Sequence, residues 1–238
     1  MGVEAAPQFE NEFGGKVPNE KLQAYVRQIG QSVAAVAERD IPYEFALLNS
    51  DVPNAFALPG GKVYVTAGLM DIMTNERELA AVLGHEVGHV AALHNVKGLQ
   101  RQLGAEVLAQ IAAEIVGGKS GQVAGAATKI VGGMMTLKYS RADEYQADEL
   151  GIRYLAKAGH SPWGMVELLA ALNKLSGSSS GGLPEIFQTH PPSEKRVERA
   201  RGIIQKEHPT VKESEPDPRA KQFQEMRALL ASIPRGQG

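Results

Sequence analysis

The chain has 238 residues, of which 43% are hydrophobic, and its formal net charge is -2. Its length and hydrophobic fraction predict a folded protein with a substantial core rather than a disordered one. The near-neutral charge argues against a nucleic-acid partner, and the absence of Cys excludes disulfides, thiolate catalysis and Cys-ligated metal. His, Asp and Glu remain as the strong metal ligands.

The N-terminal residues carry no basic flank followed by an apolar run, so we expect no signal peptide or anchor in this sequence. Ala6 stands where a myristoylation signal has Ser or Thr. A start that replaced a removed leader would look the same.

The first third of the chain predicts a helix and a small sheet. Apolar residues at helical spacing predict an amphipathic helix over 19–40. Residues 43–48 predict a strand, and two apolar segments around Pro59-Gly60-Gly61 predict a hairpin over 54–66. Together they predict a small antiparallel sheet.

The next helix carries the motif His85-Glu86-Val87-Gly88-His89. Asn75 followed by Glu78 is typical of a capping box, and the apolar pattern continues to Leu93. Side chains four residues apart share one helical face, so His85 and His89 can bind one metal ion while Glu86 points toward a water bound to it.

The alternative is a surface helix with two solvated histidines. The flanking Leu83, Val87 and Val90 indicate instead that the helix is buried around the motif. Burying two imidazoles and a carboxylate without partners is unfavourable, so a zinc ion is the natural way to satisfy them.

The second half of the chain predicts further helices. Residues 99–137 are rich in small apolar residues, with breaks expected at Gly117-Gly118 and Gly132-Gly133, and charged residues interrupt them too often for a membrane span. A buried or partner-facing helical pair is expected there. Further helices are predicted over 140–158, 163–175, 193–207 and 220–232, with a flexible Gly-Ser loop over 176–182.

A catalytic zinc needs a third protein ligand. His94 would lie off the metal-facing side of a continuous helix, and Ala92 and Asn95 do not fit the metzincin spacing. Glu144, on the helix capped by Ser140, is the better candidate. Asp148, one turn later, could accept the free N–H of a ligand histidine. A solvated acidic face is the alternative for both.

The sequence resembles peptidase family M48, zinc metalloendopeptidases that include the Ste24, HtpX and Oma1 proteins. The resemblance extends over about residues 17–201. It is carried, in order, by Asn54-Ala55-Phe56-Ala57, Pro59-Gly60-Gly61, Glu78-Leu79-Ala80, the His85 to His89 motif, Ser140-Arg141 with Glu144 and Ala147-Asp148, and His190-Pro191-Pro192. Within the family it is most similar to soluble or lipid-anchored bacterial cell-envelope members, because the transmembrane helices of HtpX and Ste24 are missing.

The resemblance implies a mainly helical α+β fold of the gluzincin type, with a small antiparallel sheet or hairpin beside the motif helix. Residues 1–205 would form the peptidase domain. Residues 206–238 would form a charged linker and a short helix, packed on that domain or extending from it.

The resemblance also implies His85, His89 and Glu144 as ligands of one Zn²⁺ and Glu86 as the catalytic acid/base. His190 would stabilise the oxyanion, a role that an N–H-donating imidazole suits, and Arg196 would support it. The alternatives are a loop histidine held rigid by two prolines and a solvated arginine.

The segment Asn54, Ala55, Phe56 and Ala57 could pair with an extended substrate backbone if it lies at a sheet edge. Ordinary sheet packing, for example of Phe56, is the alternative for each side chain.

These observations predict a zinc-dependent endopeptidase acting on polypeptides, specifically on unfolded or misassembled envelope proteins. The periplasm or cell envelope is the expected location, with the cytoplasm not excluded. Membrane-surface association of the parent protein is compatible with the sequence, and the oligomeric state is undetermined. A chaperone-like protein that holds clients through residues 99–137, and a structural zinc site with four protein ligands, are the alternatives.

Overall fold

The computed structural model describes residues 2–117, 120–178 and 186–236. Within these ranges the chain forms three strands and twelve helices, which confirms the mainly helical α+β class. In chain order the elements are α1 (Gly2–Glu12), α2 (Glu20–Ala34), β1 (Glu44–Leu48), β2 (Ala55–Leu58), β3 (Lys62–Thr66), α3 (Ala67–Ile72), α4 (Glu76–Ala91), α5 (His94–Leu103), α6 (Ala105–Gly117), α7 (Ser120–Met135), α8 (Arg141–Lys157), α9 (Trp163–Ser178), α10 (Ile186–Thr189), α11 (Glu194–Glu207) and α12 (Ala220–Ala231).

The three strands form one sheet in the order β1-β3-β2. The predicted hairpin is present, since β2 and β3 are antiparallel with Ala55 opposite Val65. β1 pairs with β3 in parallel, with Phe45 opposite Val63, so the sheet is mixed rather than purely antiparallel. The periodicity of a strand predicts which faces it presents but carries no information on the direction of its neighbour.

The sheet separates two apolar cores because successive side chains of a strand point to opposite faces. On one face, Leu47 and Val65 pack in the larger core, to which α2, α4, α8 and α9 contribute. On the other face, Phe56 and Tyr64 pack against residues of α1 and α7. The motif helix α4 therefore lies in the larger core, and a second apolar layer covers the opposite side of the sheet.

The last helix also joins the larger core. Phe223, Met226 and Leu230 of α12 are buried there, and α12 contacts α2, α3 and α4. Helix α12 is therefore packed on the preceding residues. The domain boundary at residue 205 stays a prediction.

The small-residue region 99–137 differs from its prediction. It forms parts of three helices rather than a helical pair, with a break at Gly104, whose φ is 84°. Gly132 and Gly133 lie inside α7, so the break predicted there is wrong. A Cβ on Gly133 would come within 2.8 Å of Leu99 Cδ2, so this glycine serves close helix packing instead.

Other boundaries also differ. Helices α1, α3 and α10 are absent from the prediction. Pro7 interrupts the helical pattern of α1, and α3 and α10, with six and four residues, are too short to show a helical period. Helix α9 continues to Ser178, so the start of the predicted Gly-Ser loop is helical, and residues 179–182 of that loop lie outside the described residues. Within the described ranges, every helix is too short or too polar to cross a bilayer.

Candidate active site

Helix α4 holds the motif in a fixed position. Asn75 Oδ1 accepts a hydrogen bond from Glu78 N at 3.1 Å, as predicted. The Glu78 carboxylate accepts from Thr74 N and from Asn75 Nδ2, so the return bond of the capping box goes to Thr74 rather than to the Asn75 backbone. From Leu79 to Val90 every residue of α4 is buried, which gives the motif a rigid support.

Helix α8 crosses α4 at very short range. Ser140 and Asp143 form a full capping box at its start. A Cβ on Gly88 of α4 would lie 3.0 Å from Ala147 O, and one on Gly84 would lie 3.5 Å from the Gly151 Cα. The absence of side chains at this crossing lets α8 bring Glu144 and Asp148 to the histidines of α4.

Four side chains converge at the crossing, His85, His89, Glu144 and His190, and one potential ligand atom of each lies within 4.8 Å of all the others. His89 Nε2 is 3.0 Å from His85 Nε2 and 3.2 Å from Glu144 Oε1. His190 Nδ1 is 3.0 Å from Glu144 Oε1 and 3.2 Å from His85 Nε2. All four side chains are buried.

Asp148 of α8 lies beside His85. His85 Nδ1 lies 3.0 Å from Asp148 Oδ1. Because an ionised carboxylate can only accept, the ring proton of His85 belongs on Nδ1, which leaves a lone pair on Nε2. The lone pair faces the convergence point.

The chemistry of this donor set fits a divalent cation. Lone-pair nitrogens that face one another beside a carboxylate repel when nothing positive lies between them, and burial strengthens that repulsion. Burial by itself raises the pKa of Glu144, but His190 and Arg196 more than offset it and hold this pKa well below its usual range. Glu144 is therefore ionised, and two imidazoles with a carboxylate form a set that zinc binds.

Glu86 points into the same site from α4. Its Oε1 lies 3.6 Å from His190 Nε2, and its buried Oε2 finds no hydrogen-bond partner among the described residues. Burial raises the pKa of Glu86. The carboxylate is free to accept a proton from a molecule bound in the site.

Arg196 of α11 links the acidic residues of the site. Its Nε and Nη2 donate to the two oxygens of Asp148 at 2.8 and 2.7 Å, and its Nη1 lies 2.6 Å from Glu144 Oε2. The same Nη1 donates to Pro191 O at 3.4 Å. The guanidinium is buried, so it is not the solvated arginine of the alternative interpretation, and it contacts the segment after His190 rather than its imidazole.

Two further residues contact the site that the sequence analysis did not assign to it. The chain leaves α4 at Ala91, and Leu93 adopts φ 62°, so His94 starts a new helix instead of continuing the old one. His94 Nδ1 then lies 3.1 Å from His89 Nδ1. The ring of Tyr139 packs 4.0 Å from the ring of His89, between centroids. No Gly or Pro marks the helix break after Ala91, so the sequence does not predict where His94 lies. The only signal in the sequence was that His and Tyr are residue types common in active sites.

The segment Asn54 to Ala57 lies at an edge of the sheet, next to α4. Thr66 N donates to Asn54 O, so Asn54 faces β3, and alternation turns the backbone groups of Ala55 and Ala57 away from β3. Both residues are buried, and Ala55 N donates to Asn54 Oδ1 at 2.9 Å, so these edge groups are covered. Asn95 Nδ2 approaches one of them, Ala57 O, at 3.4 Å. Phe56 packs in the smaller core, as its alternative interpretation stated.

Residues 20–204 match peptidase family M48. The chain belongs to this family. It therefore carries a metalloprotease domain, because M48 proteases are metal-dependent.

Individual relatives agree with the family. The chain is 32% identical over 205 residues to the beta-barrel assembly-enhancing protease of Yersinia pestis, covering 80% of this chain and 41% of that protein. It is 32% identical over 156 residues to the mitochondrial metalloendopeptidase OMA1 of Arabidopsis thaliana, covering 66% of this chain and 30% of that protein. Metalloprotease YcaL of Escherichia coli is 37% identical to the chain over 158 residues, covering 66% of this chain and 60% of that protein. The chain thus spans less than half the length of the first two relatives.

Proposed function

We propose that the protein is a zinc-dependent endopeptidase with His85, His89 and Glu144 as the metal ligands. The observation that carries the proposal is the convergence of these side chains next to Glu86, whose Oε2 has no hydrogen-bond partner among the described residues. A zinc ion in this site supplies Lewis acidity, which lowers the pKa of water to about 7 and polarises the scissile carbonyl.

Glu86 is the proposed acid/base. Its free Oε2 accepts the proton of the attacking water and then passes that proton to the leaving amine. The raised pKa of Glu86 brings its proton affinity closer to the values that both transfers need. Asp148 and Arg196 hold the ligands in place, Asp148 through His85 and Arg196 through Glu144 and Asp148.

His190 is the proposed oxyanion stabiliser. Its position is fixed by α10, since His190 N donates to Ile186 O at 2.7 Å. Glu144 and Glu86 raise the pKa of His190 against the opposing effect of burial. This favours the imidazolium form, in which both ring nitrogens carry a proton. An N–H of this ring could donate to the oxyanion once a substrate enters.

A closed structural metal site is the second candidate function. His190 Nδ1 belongs to the same group of atoms as the three proposed ligands, and with a lone pair on that nitrogen it would be a fourth donor. Four protein donors are typical of structural zinc sites, whereas catalytic sites keep one position open. The position of His190 therefore supports both a catalytic and a structural zinc site, and experiments on His190 separate the two.

The proposed substrates are unfolded or misassembled proteins of the bacterial cell envelope. Support comes from relatives named beta-barrel assembly-enhancing protease. The edge position of β2 adds support, because its backbone groups that point away from β3 could pair with a substrate that displaces Asn95, and such pairing tolerates many side-chain sequences. The envelope or periplasm is the proposed compartment, and Asn54 to Ala57 are the proposed substrate-binding residues.

The test is metal content measured together with cleavage of an unfolded protein such as casein, before and after chelation. We expect one zinc per chain, loss of cleavage when the chelator removes it and recovery when zinc is added back. Zinc-loaded protein that suppresses aggregation of the unfolded substrate without cleaving it would favour the chaperone-like alternative. Zinc binding with neither activity would favour the structural site.

A further inference from the structure

A pocket of about 80 Å³ lies beside the metal-ligand group. His190 and Tyr139 form part of its lining, and the ring of Tyr139 contacts His89. Asn54, which directly precedes the edge strand β2, lines it as well. A peptide with its scissile bond at the metal-ligand group would therefore place a neighbouring side chain beside this pocket.

One wall of the pocket is aromatic and firmly packed. Phe9 and Phe13 come from the N-terminal helix, and Phe56 comes from β2. The Phe56 ring lies 4.4 Å from Phe9 and 4.9 Å from Phe13, between centroids, and all three side chains are buried. Phe9 and Phe13 precede residue 20, so this wall is partly built by residues outside the segment that matches the family.

Another part of the lining comes from α7 and the residues after it, with Met134, Met135 and Leu137. Met135 is 40% exposed, so it stands at the rim. Methionine side chains are unbranched and adapt to different occupants. The pocket thus combines a rigid aromatic wall with an adjustable one.

Apart from His190 at the metal-ligand group, the described lining has no acidic side chain, Lys or Arg, and its remaining side chains are apolar or neutral, which favours an uncharged occupant. Its volume is about half that of the ~150 Å³ cavity that accommodates benzene. A side chain of intermediate size fits this space better than a tryptophan ring.

We infer that this pocket is a specificity subsite that receives a medium-sized aliphatic side chain, Leu, Ile or Met, from a substrate residue next to the scissile bond. The inference rests on the proposed peptidase function and deepens it. Such side chains are buried in most folded proteins and become available when a chain unfolds. The subsite would thus direct cleavage to unfolded polypeptides, because it recognises one side chain rather than an extended sequence.

The experiment uses the zinc-loaded full chain and fluorogenic peptides that differ in one residue near the cleaved bond. We expect kcat/KM for a Leu, Ile or Met peptide to exceed that for the matched Ala peptide by about 10-fold or more, the order that small apolar differences produce in an enzyme pocket. The Trp and Asp peptides should be poorer than the Leu peptide.

Met135→Asp places a charge at the rim of the pocket at an exposed position, so the fold should be unaffected. We expect kcat/KM for the Leu peptide to fall by about 10-fold, while the Ala peptide changes by less than about twofold. Val107→Asp is the matched control, since Val107 is also 40% exposed but does not line the pocket. It should leave both peptides unchanged.

Two results would overturn the proposed subsite while leaving the proposed peptidase function intact. One is cleavage of the peptides without any preference at the varied residue, and the other is an equal loss for the Leu and Ala peptides in Met135→Asp. If the zinc-loaded protein cleaves no peptide and no unfolded protein, the proposed function fails and the subsite fails with it.

Discussion

His94 Nδ1 lies 3.1 Å from His89 Nδ1, and His94 Nε2 lies 3.1 Å from Gln146 Oε1. The amide oxygen of Gln146 can only accept, so Nε2 of His94 carries the proton and its Nδ1 has the lone pair. His89 then donates from Nδ1 and keeps a lone pair on Nε2, the atom that faces Glu144. A chain of hydrogen bonds from α8 through α5 therefore sets the tautomer of a proposed ligand.

We expect His94→Leu to weaken zinc binding by about 10- to 100-fold, because partners that orient a ligand histidine contribute that much to affinity. Competition with a chelator of known affinity measures the change. His160→Gln replaces another buried histidine, which contacts Ser32 and Arg219 rather than the proposed ligands, and it should leave the affinity unchanged. Unaltered zinc affinity in His94→Leu would mean that its ring only fills space.

Glu86→Gln should keep zinc and lose proteolysis. The amide is close in size to the carboxylate but cannot accept the proton of the attacking water, so kcat should fall by at least about 100-fold. Zinc content and casein cleavage, measured on the same preparation, check this. Turnover retained at the wild-type rate would remove Glu86 from the mechanism.

His190→Ala distinguishes the two proposed roles of this residue. If its imidazole stabilises the oxyanion, kcat should fall by about 100-fold or more while KM and zinc content stay close to wild type. If it closes a structural site, the main effect should be weaker zinc binding. A change confined to KM would contradict the oxyanion role.

Gly88→Val tests the close crossing of α4 and α8. The new side chain would meet the backbone of Ala147, so we expect a loss of about 1–3 kcal/mol in the free energy of unfolding and weaker zinc binding as Glu144 is displaced. Urea unfolding and chelator competition measure the two effects. Gly202→Val is the control, because a Cβ at Gly202 of α11 meets open space within the described structure. Equal stability of the two variants would disprove the tight crossing.

His160 should make the protein less stable in acid. Its Nε2 lies 2.9 Å from Ser32 Oγ, its Nδ1 lies 3.2 Å from Arg219 Nη1, and burial followed by Arg219 lowers its pKa from the usual 6.5. The folded state therefore keeps this ring neutral, while the unfolded state takes up a proton as pH falls below about 6.5. The stabilisation is present above that pH and is lost below it.

The measurement is the free energy of unfolding of the chelated protein from pH 7.5 to 5, compared with His160→Gln. The variant should show a shallower decline, by up to about 1.4 kcal/mol per pH unit, the limit for one proton. Parallel pH profiles of the two proteins would show that His160 titrates alike in both states.

The sequence by itself determined the features that depend on local spacing. His85 and His89 share a helical face because they are four residues apart, and Ser140 caps α8 because its side chain accepts from Asp143 N. Glu144 could be chosen as a candidate ligand from the sequence, because a catalytic zinc needs a third protein ligand and the family motif offers one. The antiparallel hairpin followed from its turn residues.

Only the tertiary structure decided which distant groups meet. The parallel pairing of β1 with β3, the burial of Arg196 against Asp148 and the placement of His94 behind His89 join residues far apart in the chain or across an unmarked helix break. Such contacts are selected by the packing of whole elements, which no local pattern encodes. Gly133 shows the same limit, since a residue that favours a break in isolation remains helical where α5 packs closely against it through Leu99 and Leu103.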